Sequence, residues 1–232
     1  MKLLLRIVIS AFLLAGLSVL GYSQDPSVHI KKLLMLVDDV RFTKVINPDS
    51  TLIEGTPFLD KEYINGTITT PGGEEYIEIP LRYNVYNDNF EFRREDKAYS
   101  LEAEGFAGRA TLGSRIFLYM SYSYKNRVRD GYLELVSGGV FNLYKRYRTT
   151  YDLPKEPQPY TEAIPGKFKS LTPFLLISYG DKKPETIQSE KQLIEISRLA
   201  GINIKPFLKE NKIKVRREED VIKVVEYLNA NL

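Results

Sequence analysis

Two short stretches of the chain interleave tyrosine with arginine and lysine, and these side chains are the best equipped to bind a ligand. A guanidinium group forms two parallel hydrogen bonds with a carboxylate or phosphate, and tyrosine rings stack on sugars or on guanidinium planes. The pattern therefore indicates a binding patch for an anionic glycan, a lipid headgroup or an acidic partner. The first stretch holds Tyr122, Tyr124, Lys125, Arg127 and Arg129, and the second holds Tyr144, Lys145, Arg146, Tyr147 and Arg148.

Strand geometry offers a competing interpretation of the second stretch. Alternation along a strand places Lys145 and Tyr147 on one face and Tyr144, Arg146 and Arg148 on the other. Exposed strands also carry such charges to discourage aggregation, so solvated strand residues are the favoured interpretation over one dense patch. The candidate binding patch comprises Tyr122, Tyr124, Arg127, Tyr144, Lys145, Arg146, Tyr147 and Arg148.

Few residues are suited to catalysis or metal binding. The chain has no cysteine, which excludes disulfides, thiolate nucleophiles, cysteine zinc sites and lipid attachment to cysteine. His29 is the only histidine, and no nucleophile or orienting carboxylate can be assigned to it. Adjacent acidic pairs such as Asp38–Asp39 point to different sides of an element, whereas glycan hydrolysis needs two facing carboxylates. We predict no catalytic, cofactor-binding or metal-binding residues, and an enzyme is the less favoured class.

The first 23 residues have the three parts of a secretory signal peptide. Lys2 and Arg6 precede an apolar run over residues 7–20, and residues 21–23 form a small-x-small end. The run is shorter than the ~20 residues that a membrane-spanning helix needs. We therefore expect cleavage after residue 23 and export to the periplasm or the extracellular space. The mature chain is not expected to be an integral membrane protein.

The charge balance bears on the class of partner. Of 33 basic and 30 acidic residues, two basic ones lie in the predicted signal peptide, so the mature chain would carry 31 against 30. Nucleic-acid binding normally requires a basic surplus. We therefore expect no nucleic acid as a partner, and instead an envelope protein, glycan or lipid.

Residues 76–151 sustain a two-residue period of apolar and polar side chains, which predicts a series of antiparallel strands. Turn-forming residues at 87–89 and 137–139 separate successive segments. Pro80 cannot donate to a sheet hydrogen bond, so the first of these strands is expected at an edge or with a bulge. That strand places five apolar side chains on one side, namely Ile77, Ile79, Leu81, Tyr83 and Val85.

The flanking regions complete an α+β prediction. Residues 24–151 should hold an N-terminal helix and the antiparallel meander, and residues 152–173, with five prolines, should form a connector. Residues 174–232 should return as one strand and then short helices packed on the sheet, beginning with the capping-box pattern at Ser189. The predicted fold is a twisted antiparallel sheet of about seven to nine strands followed by a small helical region.

With these features the chain resembles a loosely defined family of uncharacterised exported bacterial envelope proteins. The matching stretches are residues 55–59, with the sequence Gly-Thr-Pro-Phe-Leu, and residues 143–147 and 205–227. The resemblance implies export and a sheet followed by helices. It implies no activity, cofactor or catalytic residue.

Three functions remain open from the sequence. The leading one is an exported, non-enzymatic envelope protein that acts as a binding or scaffold module for another macromolecule. An alternative is lipid or amphiphile binding in the concavity of a curved sheet, on the apolar faces of residues 77–85 and 116–124. A further alternative is a hydrolase of envelope polymers whose carboxylates come together only on folding.

Overall fold

The computed structural model describes most of the chain beyond the predicted N-terminal signal and helix. Those two segments and His29 lie outside the described residues. In the described part of the chain, no helix is long and apolar enough to cross a membrane. The described residues are 53–94, 97–101, 108–157, 159 and 162–232.

Within the described residues, one sheet of eleven strands precedes three helices, which confirms the predicted α+β order. The count exceeds seven to nine partly because β1 and β11, with two residues each, leave no periodic signal in the sequence. The strands are β1 (Ile53–Glu54), β2 (Ile64–Thr69), β3 (Glu75–Asn84), β4 (Asn89–Arg94), β5 (Lys97–Leu101), β6 (Arg109–Leu112), β7 (Arg115–Tyr124), β8 (Arg127–Ser137), β9 (Phe141–Asp152), β10 (Gly166–Tyr179) and β11 (Glu185–Thr186). The helices are α1 (Glu190–Arg198), α2 (Lys205–Glu210) and α3 (Glu218–Ala230).

The strand order is β1-β10-β9-β8-β7-β6-β2-β3-β4-β5, and β11 pairs with both β10 and β7. Most neighbours are antiparallel, while β1–β10 and β11–β7 are parallel. Because β11 joins β10 to β7, the five strands β7 to β11 close into a ring. Leu133, Tyr144 and Leu176 fill the inside of this ring and are buried. The candidate functional site lies on this ring.

The other half of the sheet curls over an aromatic core. Phe90 of β4 packs edge-on against Phe117 of β7 and Tyr132 of β8, with ring centroids 5.4 and 4.9 Å apart. Such edge-to-face contacts add to the stabilisation from apolar burial. Ile79 and Leu81 of β3 are fully buried in the same cluster. The concave face of this curl is therefore filled by the protein's own side chains.

A bulge changes the predicted alternation at the start of β3. The three residues of β2 from Gly66 to Ile68 oppose the four residues of β3 from Tyr76 to Ile79, and Glu78 has a φ of 55°. The extra residue turns Tyr76 inward and leaves Ile77 36% exposed, so the prediction that Ile77 shares the buried face was wrong. Pro80 lies next to this bulge, within an interior strand.

The proline-rich connector is shorter than predicted. Strand β10 begins at Gly166, seven residues before the predicted end of the connector at residue 173. Pro173 is accommodated because the register of β10 against β9 shifts between Leu171 and Phe174. A bulge is one of the few places in a sheet where a residue without an N–H group is tolerated.

The three helices pack on β9 and β10 and share one core with them. Helix α1 begins with the predicted capping box between Ser189 and Gln192. Helix α3 is also fastened by the amide of Asn229, which accepts from Phe141 N–H at 2.8 Å and donates to Phe141 C=O at 2.9 Å. The helical region is thus attached to the sheet by both apolar burial and hydrogen bonds.

Truncation of α3 at its buried face should destabilise the whole protein. Leu228 is fully buried against the sheet, so Leu228→Ala should lower the free energy of unfolding by about 3 kcal/mol in urea denaturation. Leu232→Ala, four residues later and 58% exposed, is the matched control and should cost less than about 0.5 kcal/mol. Equal small effects would contradict the docking of α3.

Candidate functional site

Strands β8 and β9 separate before either strand ends. Their backbone pairing ends at Glu134 and Lys145, although β8 extends back to Arg127 and β9 continues to Asp152. The turn between β3 and β4 reaches into the space between them. The candidate site lies at this separation, on the open end of the ring.

Asp88 in that turn and Arg146 of β9 take over the hydrogen bonds that a continued ladder would have made. Asp88 Oδ1 accepts from Tyr132 N–H at 3.3 Å and from Arg146 Nη1 at 2.5 Å. Arg146 Nη1 also donates to Tyr132 C=O at 3.0 Å. Tyr83 O–H donates to Asp88 at 2.5 Å and accepts from Arg146 at 2.9 Å. Both backbone polar groups of Tyr132 are therefore satisfied by side chains.

Burial shapes the ionisation of this network. Burial raises the pKa of Tyr83 well above its usual value, and the neighbouring Asp88 carboxylate raises it further. Burial would lower the pKa of Arg146, but Tyr83 and Asp88 more than offset this, so that its pKa is raised. At neutral pH Tyr83 thus keeps its proton and Arg146 its charge.

A depression of about 280 Å³ lies beside this network, between the separated parts of β8 and β9. Three arginines line it, Arg129 from β8 and Arg146 and Arg148 from β9. Tyr122 and Phe174 contribute aromatic surface from two other strands of the ring. None of the described residues that line the depression is acidic.

Two of the arginines are held on stacked rings. Tyr124 and Phe174 stack with centroids 4.8 Å apart and planes 16° apart. The guanidinium carbon of Arg129 lies 5.5 Å from the Tyr124 centroid, and that of Arg148 lies 5.5 Å from the Phe174 centroid. Arg148 Nε also donates to Thr172 C=O at 3.2 Å, which leaves its terminal amino groups for a ligand.

The charges of these two arginines have no counter-charge within the described part of the chain. Neither Arg129 nor Arg148 forms an ion pair there, whereas Arg146 is paired with Asp88. The depression therefore presents two uncompensated guanidinium groups on a rigid aromatic support. That arrangement is suited to holding an oxyanion.

The structure brings only part of the predicted patch together. Lys145 lies on the opposite face of β9, where it pairs with Glu218 of α3 at 2.5 Å, as the alternation of the strand requires. Tyr144 is buried inside the ring, and Arg127 is exposed outside the depression. The patch residues that line the depression are Tyr122, Tyr124, Arg146, Tyr147 and Arg148.

Three residues of the site were not part of the patch predicted from the sequence. Arg129 stands in the first basic stretch but was left out, although it lies opposite Tyr122 and shares its face. Phe174 and Asp88 come from distant parts of the chain, and no sequence pattern links them to Tyr124 or Arg146. The closure of the ring brings Phe174 to Tyr124, and the turn between β3 and β4 brings Asp88 to Arg146.

The described residues contain no group of three or more histidine, cysteine or acidic side chains that could hold a metal ion. The buried carboxylates near the site serve structural contacts instead. Glu91 accepts from Arg82 at 2.8 Å, and Glu134 accepts from Tyr147 O–H at 2.6 Å.

Comparison with family models, with curated proteins and with solved structures found no match.

Replacing the buried Arg146 should destabilise the protein more than replacing Arg148 at the opening of the depression. Arg146→Met leaves the Asp88 carboxylate without its counter-charge and Tyr132 C=O without its side-chain donor, and should lower the free energy of unfolding by about 3 kcal/mol. Arg148→Met is the matched control and should cost less than about 1 kcal/mol. Urea denaturation of both variants at neutral pH measures the difference. Similar losses would contradict the structural role of Arg146.

The buried tyrosines should make the protein sensitive to alkaline pH. The folded-state pKa of Tyr83 is raised above the unfolded value of about 10, so its stabilisation is present below pH 10 and is lost as the pH rises further. Burial likewise raises the pKa values of Tyr132 and Tyr147. The free energy of unfolding should therefore fall between pH 10 and 11.

Urea denaturation across this range, compared between the native protein and Tyr83→Phe, isolates one phenol. The free energy of unfolding of the variant should fall less per pH unit, because the variant lacks the phenol whose pKa is raised in the folded state. Parallel pH profiles would show that Tyr83 ionises normally in the folded state.

Proposed function

We propose that this protein is an exported, non-enzymatic envelope protein that binds an acidic group of another macromolecule at the depression between β8 and β9. One observation carries the proposal, namely the pair of uncompensated guanidinium groups of Arg129 and Arg148 over stacked aromatic rings. A carboxylate or phosphate could accept parallel hydrogen bonds from either group.

The contacts of two other arginines of the fold support the proposal of an anion site. Arg82 pairs with the buried Glu91 at 2.8 Å and lies over the Phe58 ring at 3.5 Å. Arg146 pairs with Asp88 at 2.5 Å. These structural arginines have both an aromatic neighbour and a carboxylate. Arg129 and Arg148 have the aromatic neighbour alone, so a bound anion would supply the missing partner.

Export is the second part of the proposal and is supported by the sequence. Residues 1–23 combine basic residues, a short apolar run and a small-x-small end. An exported chain without cysteine would meet the acidic polymers and proteins of the envelope as candidate partners.

The two alternatives find less support. An amphiphile would need an apolar cavity, but the concave faces predicted for it are filled by Ile79, Leu81 and Phe117, all fully buried. The depression itself, at about 280 Å³, is small beside the roughly 300–1,000 Å³ of typical small-molecule pockets. A hydrolase would need free facing carboxylates, whereas Asp88, Glu91 and Glu134 are engaged in structural contacts.

Binding to acidic polymers tests the proposal directly. Fluorescein-labelled poly-L-glutamate and polygalacturonate would be titrated with the purified protein at low and moderate salt, with anisotropy as the signal. We expect at least one polymer to bind, and Arg129→Gln/Arg148→Gln to weaken it by about tenfold because two charge-assisted contacts are lost.

The matched control removes the same charge from a remote surface. Lys205→Gln/Lys209→Gln on α2 alters two exposed lysines and should change the affinity by less than about twofold. Equal losses in the two double variants would show unspecific attraction by net charge and would refute the site.

A further inference from the structure

Within the described residues, the strands on both sides of the depression have backbone edges with no strand partner, although Asp88 and Arg146 occupy the edge at Tyr132. Beyond Lys145, strand β9 pairs with β10 on one side, from Arg146–Phe174 to Asp152–Lys167, but has no described pairing with β8. From Arg127 to Leu133, strand β8 pairs with β7 alone. Unpaired strand edges are templates for the addition of another strand.

The free edge of β9 is regular enough to accept a strand. Residues 146–152 contain no proline, and the only register shift of the β9–β10 pair lies between Leu171 and Phe174 of β10. The outer edge of β10, in contrast, carries Pro173 and pairs with β1 and β11 near its ends. Among these edges, that of β9 is the better template.

The projecting part of β9 and β10 is also held in place by the turn between β3 and β4. Tyr86, from the turn between β3 and β4, packs edge-on against Phe168 with centroids 5.3 Å apart and against Tyr151 at 6.3 Å. Two isolated strands are marginally stable in water, so this third element stabilises the pair. A preformed edge lowers the entropy cost of binding an extended chain.

The alternation of side chains along β9 makes its free edge suited to an acidic peptide segment. Arg146 and Arg148 occupy alternate positions of β9, so both project toward the depression. A strand added to this edge would place every second side chain beside Arg148 and Arg129. Carboxylates at those positions would compensate both charges.

We propose that the ligand is an extended acidic polypeptide segment that adds as a strand to the free edge of β9, over residues 147–152. Its backbone hydrogen-bonds β9, and its alternate carboxylates pair with Arg148 and Arg129 at the depression. This inference rests on the proposed function, since it names the class of macromolecule that supplies the acidic group.

A peptide with alternating glutamate tests both parts of the inference. Fluorescein-labelled Thr-Glu-Val-Glu-Thr-Glu-Val-Glu would be compared with two analogues that are N-methylated at the odd or the even residues. A strand uses one alternating set of amides toward β9, so one analogue should bind about tenfold more weakly while side-chain charge is unchanged. Arg129→Gln/Arg148→Gln should weaken the unmodified peptide by about tenfold, and Lys205→Gln/Lys209→Gln by less than about twofold.

The outcomes separate this inference from the proposed function. Equal binding of the peptide and both analogues would overturn strand addition, and so would binding of polygalacturonate with no binding of the peptide. Either result would leave the anion-binding depression standing. If neither polymer nor peptide binds, the proposed function fails as well.

Amide hydrogen exchange gives an independent readout of the edge. Slowed exchange over residues 147–152 in the presence of the unmodified peptide is expected from strand addition. Unchanged exchange there at saturating peptide would overturn it.

Discussion

The ion pair between Asp88 and Arg146 joins the two curled parts of the sheet. It stands where the β8–β9 ladder stops, and its two side chains satisfy the backbone N–H and C=O of Tyr132 that the ladder no longer reaches. A Cβ atom on Gly131 would lie 2.4 Å from Asp88 Oδ2, so any larger residue there would force this ion-paired carboxylate to shift. The separation of β8 and β9 is therefore stabilised by specific side-chain contacts. The depression exists because these side chains replace a stretch of backbone pairing.

The same fold uses arginine in two ways, and the difference defines the site. Arg82 and Arg146 are largely buried and each has its own carboxylate, because an unpaired buried charge would be strongly destabilising. Arg129 and Arg148 lie nearer the solvent, where water can solvate an unpaired guanidinium, and the aromatic rings orient them without neutralising them. Charge that is oriented but uncompensated is available to a ligand. The free edge of β9 lies beside that charge, and in the proposed complex it would bind an extended chain.

Much of the fold could be predicted from local pattern. The two-residue period gave the long strands, the turn residues around Asp88 and Gly138 separated the hairpins, and the capping box at Ser189 marked the first C-terminal helix. The incorrect or missing sequence-based predictions also have local causes. One extra residue near Glu78 reversed the alternation at Ile77, and the very short β1 and β11 are too brief to show any period. Periodicity describes an element once it is several residues long, and it is blind to shorter ones.

The sequence by itself determined which side chains share a face of β9, since alternation in a strand follows from covalent geometry; it separated Lys145 from Arg146 and Arg148 before any fold was known. It also determined the composition of the site, with arginine and tyrosine as the binding groups. Only the tertiary structure decided that Phe174 stacks on Tyr124 and which arginine charges are compensated. Those facts depend on the ring closure through β11 and on the distant turn at residues 85–88, which are contacts between residues far apart in the chain that no local pattern encodes.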